Sequence, residues 1–155
     1  MGTPLLISLA IHIPAAITWL GLVLYHAIVA AVPFLTVQQR ASLIRRPRWV
    51  VLGCIPVIMV TGIYQTIYNP FRTVTDIASL EALRNETTYG LALFWKHGFV
   101  MASFGITLLL MYWLAPRLAA SEGNSARLSG LAAWANVASC AALLLCVAVM
   151  VHQLH

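Results

Sequence analysis

Acidic side chains are almost missing from this chain. Among 155 residues, Asp plus Glu number four against nine Lys plus Arg, and charged residues make up only 8%. The four acids, Asp76, Glu81, Glu86 and Glu122, all fall outside the apolar runs. Those runs therefore lack the carboxylates that hydrolytic acid–base chemistry or a proton relay would need. Cysteine is equally uninformative: Cys54, Cys140 and Cys146 lie within apolar runs, with no CxxC pair and no CxxCH for covalent haem attachment. They read as inert packing residues, and no disulfide framework is expected. Internal repeats and low-complexity tracts are also missing.

What remains is hydrophobic: 61% of the residues are apolar, a composition foreign to soluble domains. Four apolar runs span residues 5–34, 49–68, 91–114 and 128–151. Each exceeds or matches the roughly 20 helical residues needed to cross hydrocarbon. Backbone polar groups in lipid must be satisfied within the segment, so the runs predict an all-α, integral membrane four-helix bundle forming one domain, 1–155. The first run lacks a basic start and a cleavage site and is too long for a signal core, so it reads as a retained span.

Arginine placement predicts the topology. Arg40, Arg45, Arg46 and Arg48 crowd the first connection without an acid, and Arg117 and Arg127 flank the third against Glu122. The positive-inside rule then puts both termini on the outer side of a bacterial inner membrane. The net charge of +5 is thereby accounted for, and no nucleic-acid partner is expected. Trp49, Trp95, Trp113 and Trp134 fall near span ends, as an aromatic belt requires; Trp19 does not. In the outer connector, 69–90, Thr75 is expected to cap a short interfacial helix through Leu83, with Ile77, Leu80 and Leu83 on one side. Gly21 and Gly105 offer close approach of helices or room for a macrocycle, and Pro14 and Pro33 offer bends in the first span.

Ionisable groups inside a membrane usually mark function. Here they are His12, His26, Lys96, His97 and, near the end, His152 and His155. Two spans share one interval. His12 and His26 stand fourteen residues apart with Trp19 midway, and His97 and Met111 stand fourteen apart with Phe104 midway. Fourteen residues make close to four helical turns, about 21 Å, so each pair shares a face. That is the spacing by which a membrane helix holds two haems, one above the other. The first and third spans run in the same direction, so His12 and His97 are expected at one outer depth, and His26 and Met111 at one inner depth. Bis-imidazole and His–Met ligation both suit haem iron. His152, returned outward by the fourth span, competes with His97 as the outer partner. Lys96 faces about 100° from His97 and suits either a haem propionate or the interface; Arg72 and Arg84 are further propionate partners. The plainer reading makes His12 and His26 interhelical hydrogen-bonding residues, Met111 a packing residue, and Trp19 with Phe104 spacers between helices. Copper is the rival metal, through His97, Met101, Met150, His152 and His12. Asn136 and the small-residue face LAAWANVASCAA suit packing against this bundle or a partner.

Short motifs add a resemblance. HIPAAITWLGLVLYH (residues 12–26) resembles the His-x6-Trp-x-Gly first helix of the CopD-type copper-resistance membrane domain and the related HemJ-type proteins. RRPRW, VTGIY, TTYGLALFWKHG and APRL extend the likeness over residues 12–120. The resemblance implies a membrane bundle, with His12 and Lys96 as the family's histidine and lysine. It also implies either haem b with protoporphyrinogen oxidation, or copper uptake. His26, His97 and Met111 stand outside that pattern and rest on spacing alone. The combined expectation is a small b-type cytochrome with one or two haems. It would transfer electrons as a subunit of a larger membrane redox complex, with quinol a candidate donor, rather than act as a free-standing enzyme.

Overall fold

The computed structural model describes residues 2–68, 74, 76–120 and 124–153. Among them, four helices are long and apolar enough to cross a membrane. In chain order the helices are α1 (Thr3–Ala31), α2 (Val37–Arg45), α3 (Arg48–Ile67), α4 (Ile77–Glu86), α5 (Thr88–Leu109), α6 (Ala115–Ala119) and α7 (Ser125–His152). A π-helical turn, Leu110–Leu114, joins α5 to α6 into one span. No strand occurs among the described residues. The multi-pass, all-α architecture expected from the sequence is what the chain adopts.

The ends of the spans differ from the apolar runs for local reasons. α1 stops at Ala31, not at residue 34, because Pro33 pushes Val32 into extended backbone (φ −65°, ψ 117°). Pro14 lies inside α1 without ending it. The first connection is not plain coil. Thr36 accepts from the Gln39 amide while the Gln39 side chain accepts from the Thr36 amide, a reciprocal cap that starts α2. In the third span, Pro116 has no amide hydrogen and its ring crowds the carbonyl of Tyr112, which accounts for the wider π turn just before it.

On the other side of the bundle, α4 runs on to Glu86, beyond Leu83. Thr75 lies outside the described residues; Asp76 and Ser79 form the reciprocal cap that starts α4. Leu80 and Leu83 pack against Val74, Tyr89, Leu93 and Met150, whereas Ile77 is exposed. The turn into α5 is tight. Thr87 Oγ1 donates to Leu83 O and accepts from the Gly90 amide, each at 2.9 Å. A Cβ on residue 90 would stand 2.1 Å from the Leu83 carbonyl oxygen, so only glycine fits. Gly21 and Gly105 have no such neighbour within 4 Å and mark no close helix crossing.

The most extensive backbone packing pairs α5 with α7, α1 with α3, and α4 with α5, with α1 against α7 next. Trp49, Trp95, Trp113 and Trp134 all face outward, whereas Trp19 is buried, which is the division an aromatic belt calls for. Ala133, Asn136 and Cys140, on the small-residue face of α7, are buried; that face packs within the bundle, where Asn136 Nδ2 donates to Thr107 Oγ1 at 2.7 Å.

The packing is uneven along the membrane normal. The half that holds the α2 and α6 end is close-packed around Val23, Ile44, Val51, Leu110, Met111, Ala115 and Leu118. The other half is not. Between Ser8 and Trp19 on α1, beyond Ile58 on α3, between Leu93 and Ser103 on α5, and beyond Cys140 on α7, no residue is buried.

Candidate functional site

That loosely packed level holds several of the intramembrane polar groups. Ser8 and His12 on α1 face Thr61 and Gln65 on α3. Gln65 Nε2 donates to Ser8 Oγ at 3.3 Å, and Ser8 Oγ donates to the Thr61 carbonyl at 3.4 Å. His12 is half-buried, with Nδ1 2.7 Å from Thr61 Oγ1. The Thr61 hydroxyl sends its one hydrogen to Val57 O, the carbonyl one turn back along α3. Its oxygen therefore accepts, His12 Nδ1–H donates, and the lone pair lies on Nε2.

His97 reaches the same state by another route. Its Nδ1 lies 2.8 Å from Leu93 O, a carbonyl one turn back on α5. A carbonyl only accepts, so Nδ1 carries the hydrogen and Nε2 the lone pair. Each imidazole is thus fixed in the tautomer that offers Nε2 to a ligand, the usual arrangement around metal-bound histidine. Lys96, one residue before His97 on α5, is partly buried. No carboxylate of the sequence lies in the spans to balance it.

One layer further along α1, Trp19 is buried. Its Nε1 donates to Ser103 Oγ at 3.1 Å and its ring meets Phe104 edge-on, centroids 4.6 Å apart. Trp19 and Phe104 are the midpoints of the two intervals, so their contact sets α1 and α5 in register. His12 and His97 each lie seven residues from it toward the N-terminal ends of their helices, about 10.5 Å. Both therefore stand at one depth.

The inner pair is arranged differently. His26 and Met111 are also matched in register, yet both are buried in the close-packed half. His26 Nε2 lies 3.2 Å from the Ile44 carbonyl on α2 and donates to it; its Nδ1 has no partner. Met111 packs among Leu110, Leu114 and Ala115. His152 is exposed at the end of α7. Arg84 is engaged by Glu81 (3.6 Å), Asn85 (3.2 Å) and the Phe94 ring. Arg72, Glu122 and His155 lie outside the described residues.

No cluster of three or more His, Cys, Asp or Glu forms among the described residues. Met101 is exposed on the outer surface of α5, and Met150 packs beneath α4. The residues that sequence reading passed over are Thr61, Ser8 and Gln65. Their signal was present as three hydrogen-bonding side chains in otherwise apolar spans. Comparison with family models, with curated proteins and with solved structures finds no match.

Proposed function

We propose that this chain is a membrane b-type cytochrome whose haem is held between α1 and α5 by His12 and His97. The observation that carries the proposal is the pair of imidazoles at one depth. Each has Nδ1 hydrogen-bonded and Nε2 free, at the level where none of the four spans has a buried side chain. Haem b supplies reversible one-electron chemistry when bound, and bis-imidazole ligation suits electron transfer because it leaves iron no open position. Thr61 and the Leu93 carbonyl would orient the two ligands and raise their basicity through Nδ1. Lys96, a cation without a carboxylate at its depth, would pair with a propionate. Trp19 and Phe104 would seal the pocket floor and exclude water from the inner half.

The reading calls for one haem rather than two, because His26 spends Nε2 on Ile44 and Met111 is enclosed in packed side chains. It carries with it the bacterial inner-membrane location, the outward termini, a larger redox complex as partner and a quinol donor. The arginine distribution and the shortage of intramembrane acids support those. The short CopD- and HemJ-like motifs support haem and copper branches alike, and a free Nε2 would serve either metal; the matched seven-residue offsets of His12 and His97 from the Trp19–Phe104 contact favour haem.

A pyridine haemochrome assay on purified protein tests the reading, with haem counted per chain. One haem b per chain that is reduced and reoxidised reversibly is expected. Protoporphyrinogen oxidation by the same preparation would move the reading to the HemJ-like enzyme. A preparation that takes up copper and no haem would overturn it.

A further inference from the structure

The structure points to a second binding site, at the opposite end of the bundle from His12 and His97. Where α2 lies against α6 and turns into α3, a cavity of about 550 Å³ opens. Gln38, Ser42, Arg45, Arg46, Arg48 and Trp49 line it. Topology alone needs only positive charge near a span end, and lysine would serve equally. Here the charges are all arginine and they surround a defined space. The chain has a single lysine, Lys96, and it lies elsewhere. Arginine presents a planar fork of donors matched to phosphate oxygens. Ser42 and Gln38 add neutral donors beside the forks, and the first connection, 32–47, holds no acid to compete. Arg48 is placed over the Trp49 ring, 5.2 Å from its centroid, and Trp49 is 71% exposed.

We propose that this cavity binds the phosphate of an anionic phospholipid headgroup. Two features select lipid over a soluble phosphate compound. The cavity abuts Trp49, the belt residue at the start of α3, so a headgroup seated there leaves its chains alongside an apolar span. The wall also includes Ala41 and Leu43, which suit the glycerol backbone better than a fully hydrated ion. A bound headgroup ties α2, the α2–α3 turn and α6 together, which steadies the end of the bundle that His26 and Ile44 join.

The test uses the full chain in detergent, with thermal unfolding followed as phosphatidylglycerol or phosphatidylcholine is added in mixed micelles. Phosphatidylglycerol should raise the midpoint saturably, and phosphatidylcholine should not. Arg45→Gln, Arg46→Gln and Arg48→Gln should each weaken the half-saturating lipid concentration about fivefold. Arg127→Gln, on the same side of the membrane but outside the cavity, should leave it unchanged. Ser42→Trp fills the space while keeping every charge, so it should abolish the response without altering insertion. Equal loss in Arg127→Gln, an undiminished response in Ser42→Trp, or an equal shift from inorganic phosphate alone would overturn the proposal.

Discussion

Trp19 and Phe104 meet edge to face with ring centroids 4.6 Å apart, and Trp19 also donates to Ser103 beside Phe104. This contact holds α1 and α5 in register across the bundle, and the depth of every polar group above it follows. Trp19→Ala should cost about 3–5 kcal/mol of stability, the range for truncating a buried large aromatic. Trp19→Phe keeps the ring contact and loses one hydrogen bond, about 1 kcal/mol. Thermal unfolding in detergent separates the two.

Gly90 should tolerate no side chain. A Cβ there would overlap the Leu83 carbonyl at 2.1 Å, and that oxygen is fixed by the Thr87 hydroxyl. Gly90→Ala should open the α4–α5 turn at a cost of roughly 2 kcal/mol or more. Limited proteolysis checks it: cleavage within 77–86 should rise well above wild type while the spans stay protected.

Asp76 gives the α4 cap a pH dependence. Its carboxylate accepts from the Ser79 amide at 2.7 Å and from the Ser79 hydroxyl, which hold its pKa below the ordinary carboxylate value. A depressed folded pKa means that the cap's contribution is present above the unfolded value and is lost as pH falls through the folded one. Hydrogen exchange of the 77–80 amides should therefore speed up on acidification through that range, beyond the intrinsic change. Asp76→Asn caps without titrating, so its protection should not vary with pH; Asp76→Ala should lack protection throughout.

The four spans were legible because lipid allows few alternatives to a long apolar helix. The register of α1 with α5, seen in the contact of Trp19 with Phe104, was legible for the same reason, since α-helical spacing is rigid and parallel spans share a direction. α2 was not read, although its signal, Thr36-x-x-Gln39, stood in the sequence; four arginines nearby made the stretch look like a solvated connection. The state of His26 could not be read from spacing, because Ile44 reaches it only after α2 folds back under the bundle. Lys96 had two orientations open to it, and the structure leaves it partly buried one residue before His97. Thr61 was overlooked because a threonine bonded back to its own helix looks self-sufficient until His12 arrives to use its lone pair.

Thr61 should act as a positioning residue for His12. Thr61→Val removes the acceptor for Nδ1–H and keeps the shape. Haem should then bind about 10–100-fold more weakly, the usual cost of losing such support, and the midpoint potential should move. Thr61→Ser should restore both. A merely structural role would lower stability and leave the potential of the bound fraction in place.

The most direct measurement is low-temperature electron paramagnetic resonance of the oxidised, purified protein together with three single variants. Wild type should show a low-spin ferric signal from two imidazole ligands. His12→Ala and His97→Ala should each lose it, while His26→Ala should keep it. A protein without haem, or a low-spin signal that survives both His12→Ala and His97→Ala, would contradict the account.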